Sequence, residues 1–277
     1  MISMSDSTVR FWEDRATKWL SVIALVVTIG INTFANTFRI GGFTTGEISS
    51  RYPSLFTPAG FTFSIWGVIY TLLAVYSVYQ FSVIRQRAKS CVDEQIYNRI
   101  GVLFIASCLL NVGWIFAWHY RVIDASLLLI VGLFIVLSMI VRKVHQLTFS
   151  ERTAWDYICI VVPFMVYFGW ITVAMVANTN AWLVSIGWKE FYINQPFWFA
   201  AALLIGFSIG VWNSIYLRDI GYALVLVWAA FGIFMRHIGG TENPSDFPII
   251  ISVISVALAI LIANLVYVGV LQRRARM

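Results

Sequence analysis

Long unbroken apolar runs, separated by short polar connections, set the pattern of this chain. The runs cover Trp19–Phe38, Phe61–Ile84, Ile100–Trp118, Ala125–Val141, Tyr157–Ala177, Phe197–Leu217, Ile220–Met235 and Pro248–Leu271. An α-helix crosses the hydrocarbon of a bilayer in about 20 residues, and these runs reach or approach that length. Strands of a membrane barrel would instead appear as short alternating segments. The pattern therefore predicts an all-α fold, a polytopic membrane helix bundle of about eight transmembrane helices. The connections at Arg121–Asp124 and Arg218-Asp219 are tight turns. One of the longest, Arg39–Gly60, carries Gly41-Gly42, Gly46, Pro53 and Pro58 and shows no helical period. Its length and its aromatics Phe43, Tyr52 and Phe56 predict a docked lid or binding loop.

Composition agrees with a membrane solvent. Hydrophobic residues are 60% of the chain and charged ones 12%, where a soluble domain carries about 25% charged residues. The formal charge of +6 does not indicate nucleic acid as a partner, because the bases sit at the ends of apolar runs and on no soluble face. They read as topology signals: 14 of the 19 Lys/Arg fall on one set of alternating connections and 5 on the other. The positive-inside rule then puts both termini in the cytoplasm and Arg39–Gly60 on the outer side. The expected location is a bacterial inner (plasma) membrane, crossed several times. The first run is too long for a signal-peptide core and reads as a retained span. Cys91, Cys108 and Cys159 have no ligand or disulfide spacing.

Few residues offer chemistry. Walker A, GxGxxG, HExxH and GxSxG patterns are absent, and no catalytic or metal-ligating residue is expected. The chain is therefore not expected to be an enzyme. Asp124, Asp156 and Asp219 stand at the starts of runs, where a helix N-terminus favours an acid. Mid-span ionisable pairs, the usual mark of ion-coupled carriers, are missing. His119 and His237 both fall near the outer surface. A shared haem iron there has no spacing signal behind it, and interfacial histidine is the ordinary case.

Aromatic residues are the unusual feature: 12 Trp, 12 Tyr and 21 Phe. Trp12, Trp19, Trp155, Trp182 and Trp188 fit interfacial belts. Others lie deeper and share helix faces. Trp66 and Tyr70 are i,i+4; Asn111, Trp114 and Trp118 follow i, i+3, i+7; Tyr167, Trp170, Ala174 and Asn178 follow i, i+3, i+7, i+11. Three faces with aromatic rings and a few polar atoms describe a pocket for a flat, mostly apolar ligand; dense packing without a ligand uses the same residues. Asn32 and Asn36, again i,i+4, are amides that must face protein or water. The small-residue pairs Gly113/Ala117 and Gly206/Gly210 permit close helix contact, most often within one chain.

Three of these stretches resemble the TspO/MBR family, the tryptophan-rich sensory and translocator proteins. FTPAGFTFSIWGVIY at 56–70 is similar to the family's FTPPxWxFxPVWTxLY, LLNVGW at 109–114 to its LNxxW, and VPFMVYFGWITVAMVANTNAW at 162–182 to its fifth helix. Ala59 replaces the second proline, Phe61 replaces the first tryptophan, and one residue is missing before Trp66. The family tryptophan of span five corresponds to Tyr167 or Trp170, and its asparagine to Met175 or Asn178. The resemblance covers about residues 19–185. It implies a cytoplasmic N-terminus (1–18), a five-helix membrane domain (19–185) and a three-helix extension with a basic tail (186–277) that has no counterpart in the five-helix core.

By the same resemblance, the expected ligand residues are Trp66, Tyr70, Asn111, Trp114, Tyr167, Trp170 and Asn178. The loop residues Arg51, Phe56 and Pro58 would cover them; from charge alone, Arg51 or Arg39 would meet a ligand carboxylate. The implied function is binding of a tetrapyrrole, porphyrin or haem, in an intramembrane cavity for sensing, regulation or transport. No cofactor is required for it. The alternative is a transporter of a small apolar or amphipathic solute, with the last three spans completing its path. Porphyrin breakdown, proposed for relatives, finds no evident acid, base or metal here. Expected partners are the lipid bilayer, a small hydrophobic ligand and, because relatives dimerise through the helix of Gly113/Ala117, a homodimer. Loose sterol-type patterns such as Val211…Tyr216…Arg218 arise by chance in aromatic helices, and sterol binding is not predicted.

Overall fold

The computed structural model describes residues 6–52, 54, 56–87, 91–146, 154–188, 195–238 and 247–274. Lys89, Arg152, Lys189, Arg276, Pro53 and the Asn243-Pro244 break lie outside the described residues. The helices are α1 (Asp6–Thr37), α2 (Thr45–Ser50), α3 (Ile65–Arg87), α4 (Cys91–His119), α5 (Ile123–Gln146), α6 (Val162–Ser185), α7 (Gln195–Leu217), α8 (Ile220–Ile238) and α9 (Phe247–Arg274). No strand occurs among the described residues. Seven helical segments are long and apolar enough to cross a membrane, and α7 adds the shorter apolar stretch Leu203–Leu217. All eight predicted runs are therefore helical, and the protein is a multi-pass integral membrane protein.

Helix α6 is the axis of the bundle. Of its membrane-length segment 78% is buried, against 28% for α1 and 22% for α9. Its sequence explains this, since apolar side chains occupy every face and a helix apolar all round belongs inside. A π-helical turn, Tyr157–Val161, precedes it, with the Val162 amide donating to the Tyr157 carbonyl. Pro163 sits in the first turn of α6, where its missing N–H costs nothing. Around α6 stand α3, α5, α7 and α8, while α1 packs on α4.

Polar groups inside the bundle are paired across helices. Asn36 donates to Asn32, Asn32 donates to the Tyr70 hydroxyl, Tyr70 donates to Asn111 (3.2 Å), and Asn111 donates to Tyr167 (3.1 Å). One chain of hydrogen bonds thus ties α1, α3, α4 and α6. The three acids at span starts do more than face helix dipoles. Asp219 accepts from the Tyr222 amide and the Tyr157 hydroxyl, Asp156 from Tyr79, and Asp124 from the Trp182 indole. Burial holds the Asp219 carboxyl above the usual carboxylate range.

Both small-residue pairs are used inside the chain. Gly113 faces Leu129 of α5, Gly206 faces Val176 of α6, and Gly210 faces Leu226 of α8. A Cβ at position 210 would stand 2.8 Å from one Leu226 methyl and 3.0 Å from the other. Gly210→Leu should therefore overpack α7 against α8 and cost about 1–3 kcal/mol, seen as a lower thermal unfolding temperature in detergent. Gly67→Ala, where a Cβ meets nothing within 4 Å, should leave that temperature unchanged or slightly raised.

Candidate functional site

The loop after α1 is folded, against the expectation of a segment without helical pattern. Thr44 caps α2: its hydroxyl accepts from the Glu47 amide, and the Glu47 carboxylate accepts from the Thr44 amide at 2.8 Å. This Thr-x-x-Glu spacing is a helix-start signature readable in the sequence. The bond from the Thr44 amide, helped by Arg39, holds the Glu47 carboxyl below its ordinary range. Ile48 is fully buried, the Trp118 indole donates to the Thr45 carbonyl, and the Thr45 amide donates to Asn36. The loop is docked on α1 and α4. Gly41 makes that approach possible: its φ is +73°, and a Cβ there would overlap the His119 carbonyl oxygen.

After Pro58 the chain turns through Gly60–Ser64, a 3-10 turn, and enters α3. The turn is held by α8. The Ala59 amide donates to the Gly232 carbonyl at 3.0 Å, and the Trp228 indole donates to the Thr62 carbonyl at 3.0 Å. Phe61 points out of the bundle, 44% exposed, onto Trp228 and Phe231. Phe63 turns inward onto Trp170, ring centroids 5.9 Å apart. The residue that replaces the family tryptophan therefore binds α8, and its second neighbour fills the inside.

Beneath the loop and the turn lies a cavity. Phe56, Pro58 and Ser49 line it from the loop; Thr62, Phe63 and Trp66 from the turn and α3; Trp114 and Trp118 from α4. Trp170, Val173, Ala174, Ala177 and Asn178 line it from α6, and Ala229 and Ile233 from α8. Trp66 is the centre of the aromatic set, 5.5 Å from Tyr70 in a stacked pair, 5.9 Å from Trp114 and 6.3 Å from Trp170. No charged side chain is in the lining. The free volume is about 30 Å³, where one buried water needs roughly 10–15 Å³. The cavity is a narrow, mostly apolar slot.

Five polar side-chain atoms of its lining residues lack partners. The indole nitrogens of Trp66, Trp114 and Trp170 and the amide nitrogen of Asn178 are buried and make no hydrogen bond, and neither does the Thr62 hydroxyl. The Asn178 oxygen is already taken by Ser126. Buried donors without partners are uncommon and costly, so a cluster of them around one slot is chemically distinctive.

Four of the seven expected ligand residues line the slot: Trp66, Trp114, Trp170 and Asn178. Tyr70, Asn111 and Tyr167 stand behind them, and their polar atoms are used in the interhelical chain. Of the loop residues, Phe56 and Pro58 line the slot, whereas Arg51 lies over the Phe43 ring at 3.7 Å and Arg39 pairs with Glu47 at 3.4 Å. Burial raises the Tyr52 hydroxyl above its ordinary value; that ring packs on Trp118. His119 is fully buried and its Nδ1 is bonded to the Ile115 carbonyl. Trp118 was readable from the i, i+3, i+7 face of α4. Ala229 and Ile233 carried no signal, because only the fold brings α8 to the loop.

A membrane helix bundle with a buried aromatic slot under its first long loop defines the class of this protein. The model of the TSPO-like protein family matches residues 18–268, and the chain belongs to that family. The matched range runs past the 19–185 suggested by the motifs and into α9, so the last three helices are inside it. No curated protein and no solved structure matches the chain. Asn111→Leu leaves the Tyr70 and Tyr167 hydroxyls without their shared partner. The expected cost is about 0.6–2 kcal/mol, measured by thermal unfolding in detergent, and larger than that of Tyr70→Phe.

Proposed function

We propose that this TspO-like membrane protein binds a flat, mostly apolar ligand of the tetrapyrrole class in the slot beneath the first loop, and acts as a sensor, regulator or carrier of it. The observation that supports this reading most is the ring of unpaired donors on Trp66, Trp114, Trp170 and Asn178. Flat indole faces suit a planar π-system, and unpaired N–H groups suit ligand acceptor atoms such as carboxylate or carbonyl oxygens. The absence of any lining cation means that such oxygens would be recognised by neutral donors.

Purified protein is expected to show tryptophan quenching on titration with protoporphyrin. Trp114→Ala removes a stacking face and a donor, and should weaken binding about tenfold or more. Asn111→Ala acts through Tyr70 and Tyr167 and should weaken it less. Unchanged affinity in both variants removes the pocket assignment. Flux of protoporphyrin into liposomes separates carriage from sensing.

We also infer that both termini are cytoplasmic, from the bias of Lys and Arg between alternating connections. A C-terminal fluorescent fusion should fluoresce in bacteria, and a C-terminal alkaline phosphatase fusion should be inactive. Active phosphatase would reverse the orientation.

A further inference from the structure

The slot is narrow, with about 30 Å³ of free volume, so a ligand of porphyrin size can enter only if a wall moves. The walls are not equally held. Helices α1, α3, α4 and α6 are bound by the buried chain from Asn36 to Tyr167. The loop is anchored by Ile48, by Trp118 and by its capped helix. Among the described residues, the seam between α8 and the turn at Ala59–Thr62 has only two hydrogen bonds across it, Ala59 to Gly232 and Trp228 to Thr62.

That seam is also the tightest contact of the site. A Cβ at Gly232 would overlap the Thr62 hydroxyl oxygen and lie 2.7 Å from its methyl. Glycine there makes room for the Thr62 side chain. The Thr62 hydroxyl is buried with no partner while the seam is shut, so the closed state leaves a polar group unsatisfied. Outside the seam stand Phe61 and Phe231, 44% and 38% exposed, in contact with each other and with Trp228. Gly232 is six residues from the end of α8, about 9 Å along the helix, and lies within the membrane-length segment Ile220–Ile238. Inside it are Ala229 and Ile233 of the slot.

We infer that α8 supplies the portal of the site. An apolar or amphipathic molecule dissolved in the bilayer enters sideways between α8 and the Ala59–Thr62 turn, past Phe61 and Phe231. Trp228 and Gly232 are positioning residues that hold this portal shut. The inference rests on the slot being a ligand site, and it adds the route and the source: the bilayer, not the aqueous side of the loop.

Two readouts test it, one of which needs no porphyrin. In a background with Cys91, Cys108 and Cys159 replaced by alanine, Ala174→Cys puts one thiol in the slot. Its labelling by a small apolar maleimide should be slow, and about fivefold faster with Trp228→Phe, which deletes one buried hydrogen bond. Gly232→Ala, which wedges the seam, should accelerate it further. Adding Thr62→Ala to Gly232→Ala removes the two closest atoms and should return the rate towards that of the parent. With protoporphyrin, followed by its own fluorescence, Trp228→Phe should raise association and dissociation rates together, about fivefold, with Kd changed less than twofold. A raised Kd with unchanged labelling would mean a structural role only and overturns the portal, as do equal labelling rates in all variants. Faster labelling with no porphyrin binding by the parent keeps the portal and removes the ligand class.

Discussion

The bundle depends on one constraint: a polar side chain in hydrocarbon has to find its partner within the protein. Asn32, Asn36, Tyr70, Asn111 and Tyr167 satisfy it as a single hydrogen-bonded chain. No apolar contact could do the same, because lipid tails compete equally well for apolar surface. The chain fixes which faces of α1, α3, α4 and α6 meet. It therefore fixes where Trp66, Trp114 and Trp170 point, since each is on the same helix as a member of the chain. Tyr70 is four residues from Trp66, Asn111 three from Trp114, and Tyr167 three from Trp170. A repeated step of three or four residues puts a structural polar atom and a cavity indole on neighbouring turns of one helix face.

This arrangement separates two kinds of polar group that look alike in a sequence. The amides and hydroxyls of the chain are satisfied and rigid. The indoles and the Asn178 amide of the slot are buried and unsatisfied. The first kind stabilises the bundle; the second leaves hydrogen-bonding capacity unmet on residues that line the slot. The distinction explains why a spacing argument found both sets together and could not divide them. Tyr70, Asn111 and Tyr167 share the face of the lining residues, but they lie one layer further back.

Much of the fold was legible. Each of the eight apolar runs is helical, and the central position of α6 follows from its lack of any polar face. The cap Thr44–Glu47 was also readable, and it marks α2 within a loop that otherwise shows only glycine, proline and aromatics. The contribution of α8 was not readable. Ala229, Gly232 and Ile233 are ordinary residues for a membrane helix, and their meaning comes from Thr62 and Ala59, more than 160 residues earlier in the chain. Short motifs report local geometry; they do not report which distant helix closes a site. For the same reason the motifs, which end at residue 182, gave no sign that the slot takes a wall from α8.

The narrow slot bears on affinity as well as on access. With about 30 Å³ free, a ligand of porphyrin size would fit only after the walls had moved. The apparent affinity is then the intrinsic affinity multiplied by the fraction of molecules already open. Stability of the narrow state and strength of binding thus oppose one another. Donors left unpaired beside the slot raise the free energy of the narrow state; under the proposed ligand reading, that would lessen the conflict. The α8 seam is held to the turn by two hydrogen bonds, whereas α1, α3, α4 and α6 are tied by a continuous chain. The junction at Phe56–Tyr70 carries both features: its inner side presents Phe63 and Trp66 to the slot, and its outer side meets α8 through Ala59, Phe61 and Thr62. A stretch with those two duties is constrained on both faces, and that makes it the most recognisable segment of the chain.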